Sequence, residues 1–447
     1  MHAIWNDTKY FIKKLLEPFF EIEYRFDRVV IYVFERQIFN FYTGFIKNDL
    51  LKLKYFWRVL KLKLLAKRRK IKVAFWYYEP EKWGSIIGLY REFEKSPHFE
   101  PIIYLTCPSI PFENITQKEL MDENCKFLDN QNVKYEKLYD IKDEFLPIDD
   151  FKCDIIFYQQ PWSINKKQSV MRSAKFALPC YIPYCFYSLK SNANYFMGFH
   201  GRMWKYFVET DFHKKEYQKD YKAKNCEALG SVKLDCYKSI NMEQAQKHWK
   251  SKDKKRIIYA PHHSIQGDNW HCMSTFLKNG KFILDFAKNH PETEWIIRPH
   301  PALKDRLLKH RYMSLKEIDN YFNEWENIGS ISKSEDNYYE QFITSDCLIT
   351  DSISFLSEYL PTRKPVLHLR NSYQKDEYND LLKKITEDYY KIYTNDEFEK
   401  VFEEVVINGN DYLKEKRCAN IKYLQIDETK TTAQKIREHI EHELRIK

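Results

Sequence analysis

Short apolar runs recur along most of the chain, each trailing into polar residues and then into a charged segment of helical length. Ile71-Lys72-Val73-Ala74-Phe75-Trp76-Tyr77 reads as a buried strand, followed by a loop and a helix from about Ser85, and further strands are predicted at Pro101 to Leu105, Asp154 to Tyr158 and Tyr181 to Phe186. Runs this short, bounded by turn residues and rich in β-branched and aromatic side chains, suit strands rather than helices. A second series begins with Arg256-Ile257-Ile258-Tyr259-Ala260 and continues at Glu294 to Ile297, Ile328 to Ile331, Asp346 to Ile349 and Pro365 to Leu369. Strands alternating with charged helices predict parallel βαβ winding, hence an α/β fold. The restart of the series puts a boundary near residue 240, giving one α/β domain over 67–240 and another over 241–447 whose end, from Glu397 onward, reads as charged amphipathic helices.

The first 66 residues have a different texture. From Phe11 to about Leu65 the pattern reads as helical, with Phe11, Leu15, Phe19 and Ile22 spaced by three and four. Residues 1–72 hold 17 Lys or Arg against 7 Asp or Glu, a net +10 that leaves −1 for everything after them. The longest uncharged stretch, Gln37 to Ile46, has ten residues, short of the roughly 18 to 20 that cross a bilayer. Residues 1–66 are therefore expected to form a basic amphipathic helical segment ending in Lys67-Arg68-Arg69-Lys70. It either lies in an anionic membrane surface or packs on the body of the protein. Because the basicity sits at one end and not around a groove, nucleic-acid binding by the main body is disfavoured.

At 447 residues, 43% hydrophobic and 17% aromatic, the chain is too long for one core and too apolar for disorder. Its ten cysteines never form C-x-x-C, and Cys180 and Cys185 lack partners at zinc-ligand spacing, so reduced thiols and no metal are expected. With only 10 glycines, neither of the common glycine-rich phosphate loops is present, so an anion site must be built from other groups.

Such groups stand where the strands of the second series end, the place ligands collect in open α/β sheets. Pro261-His262-His263-Ser264 follows the first strand, and Arg298-Pro299-His300-Pro301 aims a guanidinium and an imidazole from a turn stiffened by two prolines. Thr350-Asp351-Ser352-Ile353-Ser354 runs from a strand straight into a helix, so its hydroxyls and first amides suit an anion. Glu358, a few residues on, suits a ribose or glycerol hydroxyl.

Tyr259-Ala260-Pro261-His262-His263-Ser264, Arg298-Pro299-His300-Pro301 and Ser345-Asp346-Cys347-Leu348-Ile349-Thr350-Asp351-Ser352 resemble, in order and spacing, the motifs of the CDP-glycerol glycerophosphotransferase family. Lys364-Pro365-Val366 and Gly230-Ser231-Val232-Lys233-Leu234-Asp235 resemble that family's lysine-proline step and interdomain stretch, the latter with Val for Pro. The resemblance covers about residues 150–370 and implies a GT-B-like architecture, two Rossmann-like domains facing a cleft. It implies no cofactor and no required metal, and places the chain at the cytoplasmic face of the cell membrane. A CDP-glycerol or related nucleotide-activated donor would sit in the C-terminal domain, held by His262, His263, Ser264, Thr350, Asp351, Ser352, Ser354 and Glu358, with Arg298 and His300 acting on the transferring phosphate. The acceptor would be a glycan or polyol phosphate. The family's acceptor-side His-Gly-Thr-Pro-Leu-Lys element is replaced by Tyr184-Cys185-Phe186-Tyr187-Ser188-Leu189-Lys190, without a histidine. The nearest substitutes for a base are His200, between Gly198 and Gly201, and Glu79. The other readings open to the same sequence are a GT-B glycosyltransferase using a nucleotide sugar in capsule or lipooligosaccharide synthesis, and a non-catalytic scaffold on the membrane surface.

Overall fold

The computed structural model describes residues 20–25, 28–33, 36–42, 45–111, 115–140, 144–160, 162–190, 197–221, 224–265, 272–333, 336–371 and 377–446. Strands β1 (Phe20–Arg25), β2 (Arg28–Val33) and β3 (Arg36–Tyr42) pair antiparallel, and a helix spans Phe45–Leu65. This corrects the continuous helical reading of the first 66 residues. Phe20-Glu21-Ile22-Glu23-Tyr24-Arg25 alternates strictly, and Val29 to Val33 is β-branched or aromatic throughout, so a period of two prevails over the spacings of three and four. Phe11, Leu15 and Phe19 lie outside the described residues.

The helix Phe45–Leu65 docks on the body through Leu51, Tyr55 and Leu62. Tyr55 donates its hydroxyl hydrogen to the Arg202 carbonyl, and the Arg58 guanidinium collects the carbonyls of Ala174 (3.0 Å), Lys175 (2.6 Å) and Ala177 (2.6 Å). Its other side leaves Leu53, Phe56, Trp57 and Leu64 between 56% and 68% exposed among lysines. The packing of Leu51, Tyr55 and Leu62 matches the expectation that part of this segment rests on the body.

The first domain is a parallel sheet of seven strands: β4 (Ile71–Tyr77), β5 (Phe99–Leu105), β6 (Tyr135–Lys137), β7 (Ile155–Tyr158), β8 (Leu178–Tyr181), β9 (Lys205–Val208) and β10 (Cys226–Ala228). They lie in the order β10-β9-β8-β7-β4-β5-β6. The second is a parallel sheet of six: β11 (Lys255–Ala260), β12 (Thr293–Ile297), β13 (Gly329–Ile331), β14 (Cys347–Thr350), β15 (Val366–Leu369) and β16 (Tyr390–Ile392), in the order β13-β12-β11-β14-β15-β16. Every residue of β7, β8, β12, β14 and β15 is buried, because helices cover both faces of a parallel sheet and leave no side for polar residues. In each sheet the winding reverses between its first strand and the fourth, β4 with β7 and β11 with β14. At those switch points the loops after neighbouring strands run to opposite faces of the sheet, the place where open α/β sheets form a crevice at the carboxyl ends of their strands.

The last helix, Thr432–Leu444, does not stay with the second domain. Ala433, Ile436, Ile440 and Leu444 are buried in one cluster with Ile71, Phe75, Phe93 and Phe99 of the first. Its start is tied to the stretch between the domains: the Asp235 carboxylate accepts the N–H groups of Thr432 and Ala433, both at 2.9 Å. Gly230, at φ +117°, passes so close that a Cβ would stand 2.5 Å from the Thr432 Oγ1, which only glycine tolerates.

Asp235→Ala therefore strips two buried amides of their acceptor and should destabilise the protein by about 1–3 kcal/mol. Urea unfolding measures this, and an unchanged midpoint would show that the tie is idle.

Candidate active site at the switch point of the second sheet

Strands β11 and β14 run side by side, Ala260 paired with Thr350, and part immediately afterwards. The loop after β11 carries His262, His263 and Ser264; the loop after its other neighbour β12 carries Arg298 and His300. The His300 N–H donates to the Pro261 carbonyl at 3.0 Å, so the two loops advance together. Their imidazoles converge: ring centroids lie 4.3 Å apart for His262 and His263, 4.1 Å for His263 and His300, and 5.4 Å for His262 and His300.

Asp351 holds this convergence in place. It is 1% exposed, and its carboxylate accepts the backbone N–H of His262 at 2.6 Å together with the backbone N–H and the hydroxyl of Thr275, the latter at 2.7 Å. Burial raises its pKa to about 6 against the lowering effect of those hydrogen bonds. Thr350 is likewise internal: its hydroxyl donates to the Ala260 carbonyl at 2.7 Å and accepts the Ser352 N–H at 2.9 Å. Ser264 closes the first loop, its Oγ 2.8 Å from His262 Nδ1 and accepting the Met273 N–H at 3.2 Å. Asp351, Thr350 and Ser264, read from the sequence as donor-binding, thus stand in the cluster as its framework.

Ser352 and Ser354 differ from these. Ser352 is the N-cap residue of the helix Ile353–Glu358 yet makes no side-chain cap, and neither hydroxyl has a hydrogen-bond partner among the described residues. The helix has only six residues, so its dipole adds less than the hydroxyls themselves.

The histidines are set as neutral donors. The His300 Nδ1 accepts the Ala302 N–H at 3.2 Å, and the His262 Nδ1 accepts the Ser264 N–H at 3.2 Å. Each neutral ring then carries its own proton on Nε2. Burial first, then the proximity of His263, His262, Arg298 and Arg306, pushes His300 well below the usual imidazole range. Ring nitrogens of His262, His263 and His300 lie within 4.8 Å of one another, a spacing that a metal ion would accept. With Nδ1 accepting a backbone N–H, the neutral rings of His262 and His300 each keep a donor at Nε2 in place of a bare lone pair. The arrangement matches an anion.

Arg298, 8% exposed, stacks its guanidinium 4.9 Å from the Tyr338 ring centroid and donates to the Ser332 hydroxyl and to the Lys333 carbonyl at 3.0 Å. Tyr338 and Tyr339 both donate to the Glu358 Oε2, the second at 3.1 Å. Glu358 is 1% exposed; Lys233 Nζ approaches its Oε1 to 3.7 Å, and that oxygen accepts no hydrogen bond among the described residues. Arg298 and Glu358 are therefore joined through one tyrosine. Tyr338 and Tyr339 escaped the sequence reading because nothing in their local pattern separates them from core aromatics, and Lys233 entered it only as part of the interdomain stretch.

His200 is not part of this assembly, which corrects its assignment as a base. It is 3% exposed and packs among the core aromatics of the first domain, 4.4 Å from the Tyr206 ring centroid, with Nε2 2.9 Å from the Tyr206 hydroxyl. Burial lowers its pKa to about 3. Lys364 also stands apart, at the opposite end of β15, donating to the carbonyls of Ile343 and Ser345. The segment Tyr184 to Lys190 bridges the domains: Leu189 pairs with Tyr378, and the Asn379 N–H donates to the Ser188 carbonyl at 2.9 Å.

Neither a family model nor a curated protein sequence matches the chain. Solved structures do match. The wall teichoic acid polymerase TagF superposes with TM-score 0.55 at 14% identity, over 90% of this chain and 97% of that one. UDP-GlcNAc 2-epimerase from Neisseria meningitidis bound to UDP-GlcNAc gives 0.52 at 14%, over 83% and 99%, and S. aureus MnaA with UDP gives 0.53 at 14%, over 84% and 98%. The chain has the GT-B fold. Its two Rossmann-like sheets and their opposed switch points are those of that architecture, and the histidine cluster occupies the crevice of the second.

Replacing Asp351 by Ala should release the His262 loop from the start of the helix Phe276–Lys288 and destabilise the fold by about 2–4 kcal/mol, since a charged acceptor of three buried donors is lost. Guanidinium denaturation reads this directly, and a change below about 0.5 kcal/mol would remove Asp351 from its place as the strut.

Proposed function

We propose that this protein transfers a glycerol-phosphate or similar alditol-phosphate unit from a CDP-activated donor to a hydroxyl of a cell-surface glycan or teichoic-acid-like polymer. The observation that carries the reading is the convergence of the His262, His263 and His300 imidazoles where β11 and β14 part, with the His262 loop bound to Asp351, the residue just before Ser352. A diphosphate laid there meets N–H and O–H donors. The nearby Arg298 and Glu358 suit a phosphate and a sugar or polyol hydroxyl respectively.

The acceptor oxygen attacks the β-phosphorus, the bond from that phosphorus to the bridging oxygen breaks, and CMP departs with the electron pair. The charge that builds on the transferring phosphate and on CMP falls on preset donors, so positioning and electrostatics supply most of the acceleration. His300 then serves as a neutral donor whose Nε2 proton faces developing charge. Glu358 accepts hydroxyl hydrogens through its buried Oε1.

The working place in this reading is the cytoplasmic face of the membrane, with the uncovered side of the helix Phe45–Leu65 as the contact. Leu53, Phe56, Trp57 and Leu64 form one stripe at helical spacing, with Lys52, Lys54, Lys61 and Lys63 around it, and Trp and Phe beside Lys suit an anionic interface. No helix among the described residues is long and apolar enough to cross a bilayer.

Incubated with CDP-glycerol and a polyol-phosphate acceptor, the protein should release CMP and extend the acceptor by one glycerol phosphate, as chromatography and mass spectrometry report. Release of a nucleoside diphosphate from a nucleotide sugar would overturn the reading in favour of glycosyl transfer. His300→Ala should lower kcat by about 100- to 1000-fold and Ser352→Ala by about tenfold, with folding intact.

The double substitution of Phe56 and Trp57 by Ser should reduce sedimentation with anionic vesicles without affecting CMP release from soluble substrates. Undiminished sedimentation would take the helix face out of the membrane contact.

A further inference from the structure

The first sheet has a switch point of its own, between β4 and β7. After β4 the chain runs Tyr78-Glu79-Pro80-Glu81-Lys82 into the short 3-10 turn Pro80–Ser85, and after β7 it supplies Gln159 and Gln160. This turn is braced from two sides. The Gln159 Nε2 donates to the Lys82 carbonyl at 3.2 Å, and Cys236 Sγ, from the stretch between the domains, donates to the Gly84 carbonyl at 3.6 Å. Lys82 is 6% exposed; its Nζ donates to the Tyr78 hydroxyl at 2.8 Å and pairs with Glu79, above the Tyr78 ring at 4.1 Å and near that of Tyr184 at 5.3 Å. Of the two carboxylates that follow β4, Glu79 is therefore committed.

Glu81 is not. It is half-buried, and its carboxylate has neither a hydrogen-bond nor an ion-pair partner among the described residues. Lys233, from the stretch between the domains, packs against the same turn, its Cγ 3.7 Å from where a Cβ on Gly84 would stand, and the charges that act on Glu81 are those of Glu79, Arg298, Lys82 and Lys233. Lys233 is the residue that reaches Glu358, and Arg298 the one that stacks on the tyrosine bonded to Glu358. Glu81 thus stands on a turn of the first domain that Lys233 packs against, and Lys233 in turn reaches Glu358 of the second.

Resting on the transferase reading above, we propose that Glu81 is the general base that removes the proton from the attacking acceptor hydroxyl. As the new oxygen–phosphorus bond forms and CMP leaves, the hydroxyl proton passes to the Glu81 carboxylate and from there to water. Nothing else is consumed. Burial, followed by the repulsion of Glu79, raises its pKa to about 7 against the pull of Arg298, Lys82 and Lys233. A carboxylate poised there is a stronger base than one of ordinary acidity, yet is still substantially ionised at neutral pH. The two other candidates are engaged: Glu79 with Lys82, and His200 in the core.

The test uses the full chain with CDP-glycerol and a polyol-phosphate acceptor, following donor affinity by calorimetry and CMP release between about pH 5 and 9. Since the carboxylate is the active form, wild-type kcat should rise with pH through about 7 and level off above it. Glu81→Gln should bind CDP-glycerol within about threefold of wild type and transfer about 100-fold or more slowly, with that pH limb gone. Glu81→Asp, one carbon shorter, should restore part of the rate and the limb. Glu81→Gln turning over at the wild-type rate, or losing donor affinity in step with rate, overturns the base. Failure of wild type to bind CDP-glycerol overturns the transferase reading and the base with it.

Discussion

A single buried carboxylate fixes the geometry of the histidine cluster at the second sheet's switch point. Asp351 follows β14, yet its oxygens hold the loop of the neighbouring strand β11 through the His262 N–H and the start of the helix Phe276–Lys288 through Thr275. Three chain segments that would otherwise end independently at the sheet edge are locked to one point. His263 and His300 inherit their places from that lock, because the His300 N–H hangs on Pro261, the residue just before His262. The burial that raises the Asp351 pKa also makes its hydrogen bonds strong, since an acceptor removed from water has nowhere else to turn.

Around this strut the site relies on donors more than on net charge. A glycine-rich loop would present backbone amides; here two imidazoles with backbone-fixed tautomers and the hydroxyls of Ser352 and Ser354 take that place. For the proposed diphosphate, neutral donors would bind less tightly than lysines but would lose less when a charged product leaves. The guanidinium, meanwhile, is itself held by Ser332, Lys333 and Tyr338, so its position is set before a ligand arrives.

Much of this was legible in the sequence, for identifiable reasons. Strands β4, β11, β12, β14 and β15 are short, apolar and followed by polar residues, so both they and the loops that carry His262, His300 and Ser352 could be found. Strands β6, β10 and β16 have three residues each and no apolar run to betray them. The amino-terminal strands read as helix because Phe11, Leu15, Phe19 and Ile22, of which only Ile22 is among the described strand residues, lie three and four apart. His200, flanked by glycines, looked like a residue open to a ligand, but those glycines lie in a helix whose histidine fills an aromatic core. Glu81 was passed over for Glu79, two residues away: sequence alone cannot say which of two carboxylates a lysine will neutralise.

The deepest constraint lies between the domains. Tyr237 donates to the Glu358 carbonyl at 2.7 Å, Lys233 reaches the Glu358 side chain, and the Ser188 and Ser357 hydroxyls stand 3.5 Å apart. The residue read as the donor's hydroxyl acceptor is thus also where the first domain and the connecting stretch rest on the second. Three residues on from Lys233, Cys236 grips the turn that carries Glu81. Any rotation that widens the crevice must move Lys233 against Glu358 and carry the Glu81 turn away from Arg298. The histidine cluster's domain, the connecting stretch and the turn that carries Glu81 are therefore tied through Lys233, Glu358 and Cys236, so in the proposed transferase a closure on the donor would bring together the groups assigned to transfer.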